Sequence, residues 1–231
     1  MLSDVEHENC PYQFHSSLHL YAMVHKPLDA PSVPPGSNYC GDMQMLCHRT
    51  DHGRMICTYL GPLDAVMGSM DLHDGDDHFW PIDFRCVDTR HFLEQNGSLN
   101  VSVNYAFAAD RGRIVIGKRA QPIMVYTGDS FEIPRDLWDH FSIQFSGRVV
   151  DLIEDTLVKA GLPNFSETLE AMDSWSSAEI ADAAEQAIAR MPPTVLFEDI
   201  GKTSMDQCAI YDPESCDWLF VDFDQAKEPH R

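Results

Sequence analysis

Basic residues are the first thing this sequence is short of: its 231 residues hold 16 Lys and Arg against 37 Asp and Glu, a formal net charge of -21. A field of that sign repels nucleic-acid phosphates, anionic membrane and ATP-like substrates unless a metal or a local basic pocket intervenes, and it attracts basic surfaces. The deficit is uneven. Residues 1–135 carry 17 acids and 10 bases, whereas residues 136–231 carry 20 acids and 6 bases. Also absent is any stretch near the roughly 18 apolar residues of a membrane span. Met1-Leu2-Ser3-Asp4-Val5-Glu6 has no positive region followed by an apolar run, so the reading is a soluble, cytoplasmic protein that uses no cleaved leader. None of the seven cysteines forms a Cys-x-x-Cys pair, which removes a disulfide framework and a zinc knuckle and fits free thiols in a reducing cytosol.

Catalytic signatures are missing as well. No internal repeat is visible, and Gly68-Ser69 lacks the flanking glycines of a nucleophile elbow. Gly201-Lys202-Thr203 ends like a P-loop, but Leu196 stands where the first glycine belongs and Glu198 and Asp199 would lie inside the phosphate cradle.

What is present is a core: 44% apolar and 10% aromatic residues suffice for one large domain. Leu99, Val101, Val103, Tyr105 and Phe107 alternate with Asn100, Ser102, Asn104 and Ala106, predicting a half-buried strand after an Asn96-Gly97 turn. Further strands are expected over 12–25, 82–87, 114–116 and 122–126, and a hairpin over 43–60. Beyond Pro134 the period changes. Leu137, Trp138, Phe141 and Phe145 have helical spacing. Val149, Val150, Ile153, Leu157 and Ala160 form one helical stripe, with Ser146 as cap and Gly161 as stop. Ser166 is read as the cap of a short helix and Ser176 to Glu179 as a capping box. A hairpin over 207–223 closes the chain. The expected class is therefore α+β: antiparallel sheet in the N-terminal half, helices over about 134–191 and a C-terminal β-hairpin. Residues 1–133 and 134–231 are two regions packed as one domain.

Two stretches carry chemistry. Asp71-Leu72-His73-Asp74-Gly75-Asp76-Asp77-His78 gathers four carboxylates and two imidazoles, a donor set that suits a divalent metal. His73, Asp77 and His78 partly resemble the His-x-His-x-Asp-His motif of metallo-β-lactamase-type hydrolases, although Gly75 replaces the second His and removes a ligand. That resemblance implies a metal-dependent hydrolase. The second stretch is the helix after Ser146, where Asp151, Glu154 and Asp155 fall opposite the apolar stripe.

The charge favours a non-enzymatic reading over the hydrolase. An acidic surface would dock on a basic, nucleic-acid-binding partner and block its phosphate sites. The residues for that role are the loop acids Asp71, Asp74, Asp76 and Asp77, the helix acids Asp151, Glu154 and Asp155, and the terminal Asp217, Asp222 and Asp224. In charge and size alone the chain resembles acidic inhibitors carried by phages and mobile elements, such as anti-restriction and anti-CRISPR proteins and other DNA mimics. An immunity protein against a basic toxin is a close variant. Direct binding to DNA by the helices is opposed by charge, since Glu179, Asp182 and Glu185 face only Arg190 in that segment.

Overall fold

A computed structural model describes residues 13–26, 44–50, 53–69, 78–200 and 205–223. The class is α+β, with eleven of the described strands joined in one mixed sheet and two in a separate pair. Its spine is β7 (Leu99–Asp110). On one edge β7 meets β5 (Gly53–Tyr59) in parallel, from Ile56 opposite Val101 to Tyr59 opposite Asn104. Farther along that edge lies β12 (Gln207–Asp212), antiparallel. The other edge carries β9 (Met124–Phe131) and β8 (Arg113–Ile116), both antiparallel. The sheet extends through β2 (Tyr21–Lys26), which pairs with β5, with the two-residue β3 (Gln44–Met45) and with β6 (His78–Asp83), and through β4 (Cys47–Thr50), which forms the expected hairpin with β5. Parallel pairings at β5–β7 and at β11 (Thr194–Leu196) with β8 make the sheet mixed where an antiparallel one was expected.

Two buried layers flank β7. One contains Val101, Val103, Ile56 and Phe145 together with Val149 and Ile153 of α3 (Gly147–Lys159). The other contains Phe107 and Ala109 with Leu63 and Met67 of α1 (Pro62–Gly68), Met172 of α4 (Phe165–Met172) and Ala184 and Ala187 of α5 (Ser177–Ala189). A bulge explains how one strand serves both. The register with β9 slips between Asn104 and Ala106, which leaves Tyr105 as the extra residue and turns the alternation over, so that Tyr105 joins the first core and Phe107 the second.

The half-buried expectation for β7 fails. All twelve of its residues are buried, because its polar side chains are satisfied by β5: Ser102 Oγ donates to the Ile56 carbonyl at 3.1 Å and Asn104 Nδ2 to the Thr58 carbonyl at 2.8 Å. Buried polar groups are tolerated when paired in this way.

Other boundaries also move. The expected helix over 134–145 is instead a 3-10 turn at Arg135–Leu137 followed by β10 (His140–Ile143), which pairs in parallel with β1 (Gln13–Ser16). Phe141, Ile143 and Phe145 also fit a period of two, and a waiting edge decides in favour of the strand. The strand expected over 12–25 is broken into β1 and β2. Two short helices appear in the N-terminal half, α1 and α2 (Arg90–Asn96). Gly97, at φ +72°, caps α2 rather than making a hairpin turn. Asn164, not Ser166, is the N-cap of α4. The capping box at Ser176 and Glu179 forms as expected. So does the C-terminal hairpin of β12 and β13 (Asp217–Asp222).

Candidate interaction surface

Helix α3 owes its orientation to the stripe of Val149, Ile153 and Thr156, all buried against the sheet. Its start is fixed by Asp129 on β9, whose carboxylate accepts from the Ser146 backbone N–H at 2.7 Å and from the Ser146 hydroxyl at 3.2 Å. Its end is the expected left-handed stop at Gly161, φ +85°, with the Leu162 N–H returning to the Leu157 carbonyl at 2.9 Å. These constraints turn Asp151, Glu154 and Asp155 outward, and all three are exposed. None has an ion-pair or hydrogen-bond partner among the described residues. At about 100° per residue Val158 falls between Glu154 and Asp151, and Leu152 lies beyond Asp155. Val158 is 57% and Leu152 42% exposed. The outward face of α3 therefore sets Val158 among three carboxylates, with exposed Arg148 and Lys159 between Asp155 and Leu152.

The other acids singled out in the sequence are distributed differently. Asp217 and Asp222 are exposed at the two ends of β13. Strand alternation puts them on opposite faces, and Asp222 accepts from Gln207 Nε2 at 2.7 Å. They form no joint patch with each other. Asp71, His73, Asp74, Asp76, Asp77 and Asp224 lie outside the described residues. His78 begins β6, and nothing is described of its side chain. Among the described residues no group of three or more His, Cys, Asp or Glu could hold a metal ion.

A network that the sequence did not signal ties α4 to the sheet. His19 Nδ1 lies 2.9 Å from Asp173 Oδ2, and His19 Nε2 lies 3.4 Å from Asp83 Oδ2. Arg85 grips Asp83 with Nε at 3.0 Å from both oxygens, and the Tyr21 hydroxyl donates to Asp173. Burial alone would raise the Asp83 carboxyl, but hydrogen bonds from His19 and Arg85 outweigh it and hold it well below the usual range. Burial and the Asp173 hydrogen bond push the Tyr21 phenol far up. Both nitrogens of His19 are engaged by protein groups, so the cluster has no open position for a substrate and acts as a brace. Its members are scattered between His19 and Asp173, which is why no local pattern revealed it.

Three of the described thiols are equally closed to chemistry. Burial pushes Cys47 up to about 11, Cys57 up to about 12 and Cys208 up to about 11, far from the thiolate that a nucleophile requires.

Asp64, in the first turn of α1, lies against Gly61, whose own neighbours include Leu169 and Met172 of α4. Burial raises its carboxyl to about 7, against a smaller lowering from the Gly61 backbone N–H. The folded state therefore binds a proton that the unfolded chain releases near pH 4, so stability falls as pH rises from about 4 through 7 and the full cost remains above 7. Asp64→Asn is expected to flatten that slope and to stabilise the protein at pH 8 by about 2 kcal/mol, a figure reduced for the partial accessibility of the residue. At pH 4 it should bring no gain. Urea midpoints at the two pH values check this, and equal shifts at both would contradict it.

No helix of the described residues is long and apolar enough to cross a membrane. No protein-family model matches the chain, and neither a curated protein nor a solved structure is significantly similar to it.

Proposed function

We propose that this chain is a non-enzymatic inhibitor that acts in the cytoplasm, docking the outward face of α3 on a basic surface of a nucleic-acid-binding protein and occupying its phosphate sites. The observation that carries this reading is the rim of three unpartnered carboxylates around exposed Val158. None of the three makes an ion pair among the described residues, and Asp151 and Asp155, four residues apart, repel each other, which Arg148 and Lys159 on the same helix offset only in part. Opposite a cluster of Lys and Arg the same groups would steer encounter and fix register, while Val158 and Leu152 supply apolar contact. The wider surface agrees in sign: Glu167 and Glu170 on α4 and Glu179, Asp182 and Glu185 on α5 belong to the same acidic half of the chain.

Competition tests the reading. The tagged protein is used to capture partners from host lysate at low salt, and duplex DNA is then added to the loaded resin. Release of a basic nucleic-acid-binding protein by the duplex is the expected result. Capture that duplex DNA leaves untouched would overturn the claim that the phosphate site is blocked, and where the retained protein is a basic toxin the chain is reassigned as an immunity protein.

A further inference from the structure

The β4–β5 hairpin sets Arg49 directly opposite Arg54. Both are exposed, and neither guanidinium has an ion-pair or hydrogen-bond partner among the described residues. Like charges in register across an antiparallel pair are destabilising. The arrangement is conspicuous in a chain with 37 acids, where Arg85, Arg90, Arg113 and Lys118 each hold a carboxylate.

The backbone beneath the pair is held firmly. The Arg54 carbonyl accepts from Asn96 Nδ2 at 3.3 Å and Asn100 Nδ2 at 3.5 Å, and Thr50 Oγ1 donates to the Gly53 carbonyl at 2.9 Å. Gly53 sits at φ +109°, and a Cβ there would also stand 2.9 Å from the Asn96 side-chain oxygen. Only glycine fits both constraints, so the hairpin is pinned to the C-terminal end of α2. Arg49 and Arg54 line a cleft of about 1610 Å³ that α2 also lines through Arg90, His91 and Gln95. Two acids share the lining, Asp88 and Glu94. Asp88 is engaged by Arg90, Nε to Oδ1 at 2.9 Å and Nη2 to Oδ2 at 2.6 Å, which leaves Arg49 and Arg54 against Glu94 alone and the lining with one positive charge in excess.

We propose that this cleft binds a small phosphorylated molecule, with the phosphate monoester held between Arg49 and Arg54. A phosphate carries close to two negative charges at neutral pH and accepts bidentate guanidinium contacts, matching two arginines where a carboxylate would leave one unsatisfied. Nucleic acid is disfavoured because a net charge of -21 repels an extended polyanion, whereas a compact dianion needs only the local field. Binding removes the repulsion that the free hairpin bears. This site lies on the β4–β5 hairpin, apart from the α3 face, and does not depend on the partner reading.

Inorganic phosphate is the probe. Thermal unfolding of the intact chain is followed at pH 8 in phosphate and in chloride of equal ionic strength. A saturable rise of about 2–4 °C at millimolar phosphate is expected. Arg49→Gln and Arg54→Gln should each weaken phosphate binding at least tenfold, and without phosphate each should unfold at the same temperature as the parent or higher, because the like-charge contact is gone. Arg49→Lys should retain part of the effect. No phosphate-specific rise, or an undiminished rise in both glutamine variants, overturns the proposal. Destabilisation of both variants in phosphate-free buffer also overturns it, by making the pair structural. Tighter binding of a duplex oligonucleotide than of phosphate would overturn the small-molecule assignment.

Discussion

Replacing Asp151, Glu154 and Asp155 together by lysine is expected to weaken partner binding at least 100-fold while leaving the far-ultraviolet circular dichroism of the protein unchanged. Like charges brought together across an interface cost several kcal/mol, and about 2.7 kcal/mol already gives a factor of 100. The fold tolerates the change because all three side chains are exposed and none has a partner among the described residues. The single substitution Asp155→Lys separates binding from stability more sharply. In the parent, Asp151 and Asp155 repel at i,i+4 spacing. In the variant the same pair of positions attracts, and the introduced ammonium also stands nearer the negative end of the helix dipole. Because the new ammonium also stands four residues before Lys159 and repels it, its expected effect is a stability change within about 0.5 kcal/mol of zero alongside weaker partner binding. Weaker binding that arose only with loss of stability would mean that the acids serve the fold and not an interface.

The largest effect on stability is expected from a single methyl group. Gly128 on β9 lies opposite Ser102 of β7, and a Cβ at that position would collide with the Val101 carbonyl oxygen and stand 3.0 Å from Ser102 Cα. These are backbone atoms of the most buried strand, so they cannot swing aside as a side chain would. Gly128→Ala should cost at least about 3 kcal/mol, read as a fall in the urea midpoint. Gly97→Ala supplies the comparison. Gly97 has a left-handed φ of +72° but nothing within 4 Å of an added Cβ, so it should cost only about 1 kcal/mol. A smaller loss at 128 than at 97 would show that β9 does not press on β7 at this point.

How far the sequence disclosed this structure depends on whether the decisive signal was local. Helices α3 and α5 were legible because their signals lie within one window: the stripe of Val149 and Ile153 with the stop at Gly161 for α3, where Ser146 holds the cap position but its hydroxyl turns to Asp129, and the capping box of Ser176 with Glu179 for α5. The C-terminal hairpin was legible for the same reason. Where a distant partner decides, the reading failed. Segment 134–145 carries both a helical and an alternating pattern, and the free edge of β1, far away in the chain, selects the strand. Asn100, Ser102 and Asn104 read as a solvent face because their acceptors belong to β5. Gly61-Pro62 did contain a start signal for α1, since proline suits the first helical turn, but a seven-residue helix offers too little periodicity to stand out. Of the proposed surface, the exposure of Asp151, Glu154 and Asp155 followed from helical spacing alone. The apolar centre at Val158 did not, because valine on a helix reads as core until the neighbouring elements are placed.

The measurement that bears most directly on the central claim is the affinity of the captured partner for this protein across a range of ionic strength, with the parent and the triple lysine variant compared side by side. Contacts between an acidic rim and a basic surface weaken as salt shortens the Debye length to about 3 Å at 1 M. Steeply falling affinity is expected for the parent, and for the variant weak residual binding that rises as salt screens the introduced lysines from the basic surface. An affinity that stays level with salt in the parent, or a slope that the variant shares, would contradict the claim.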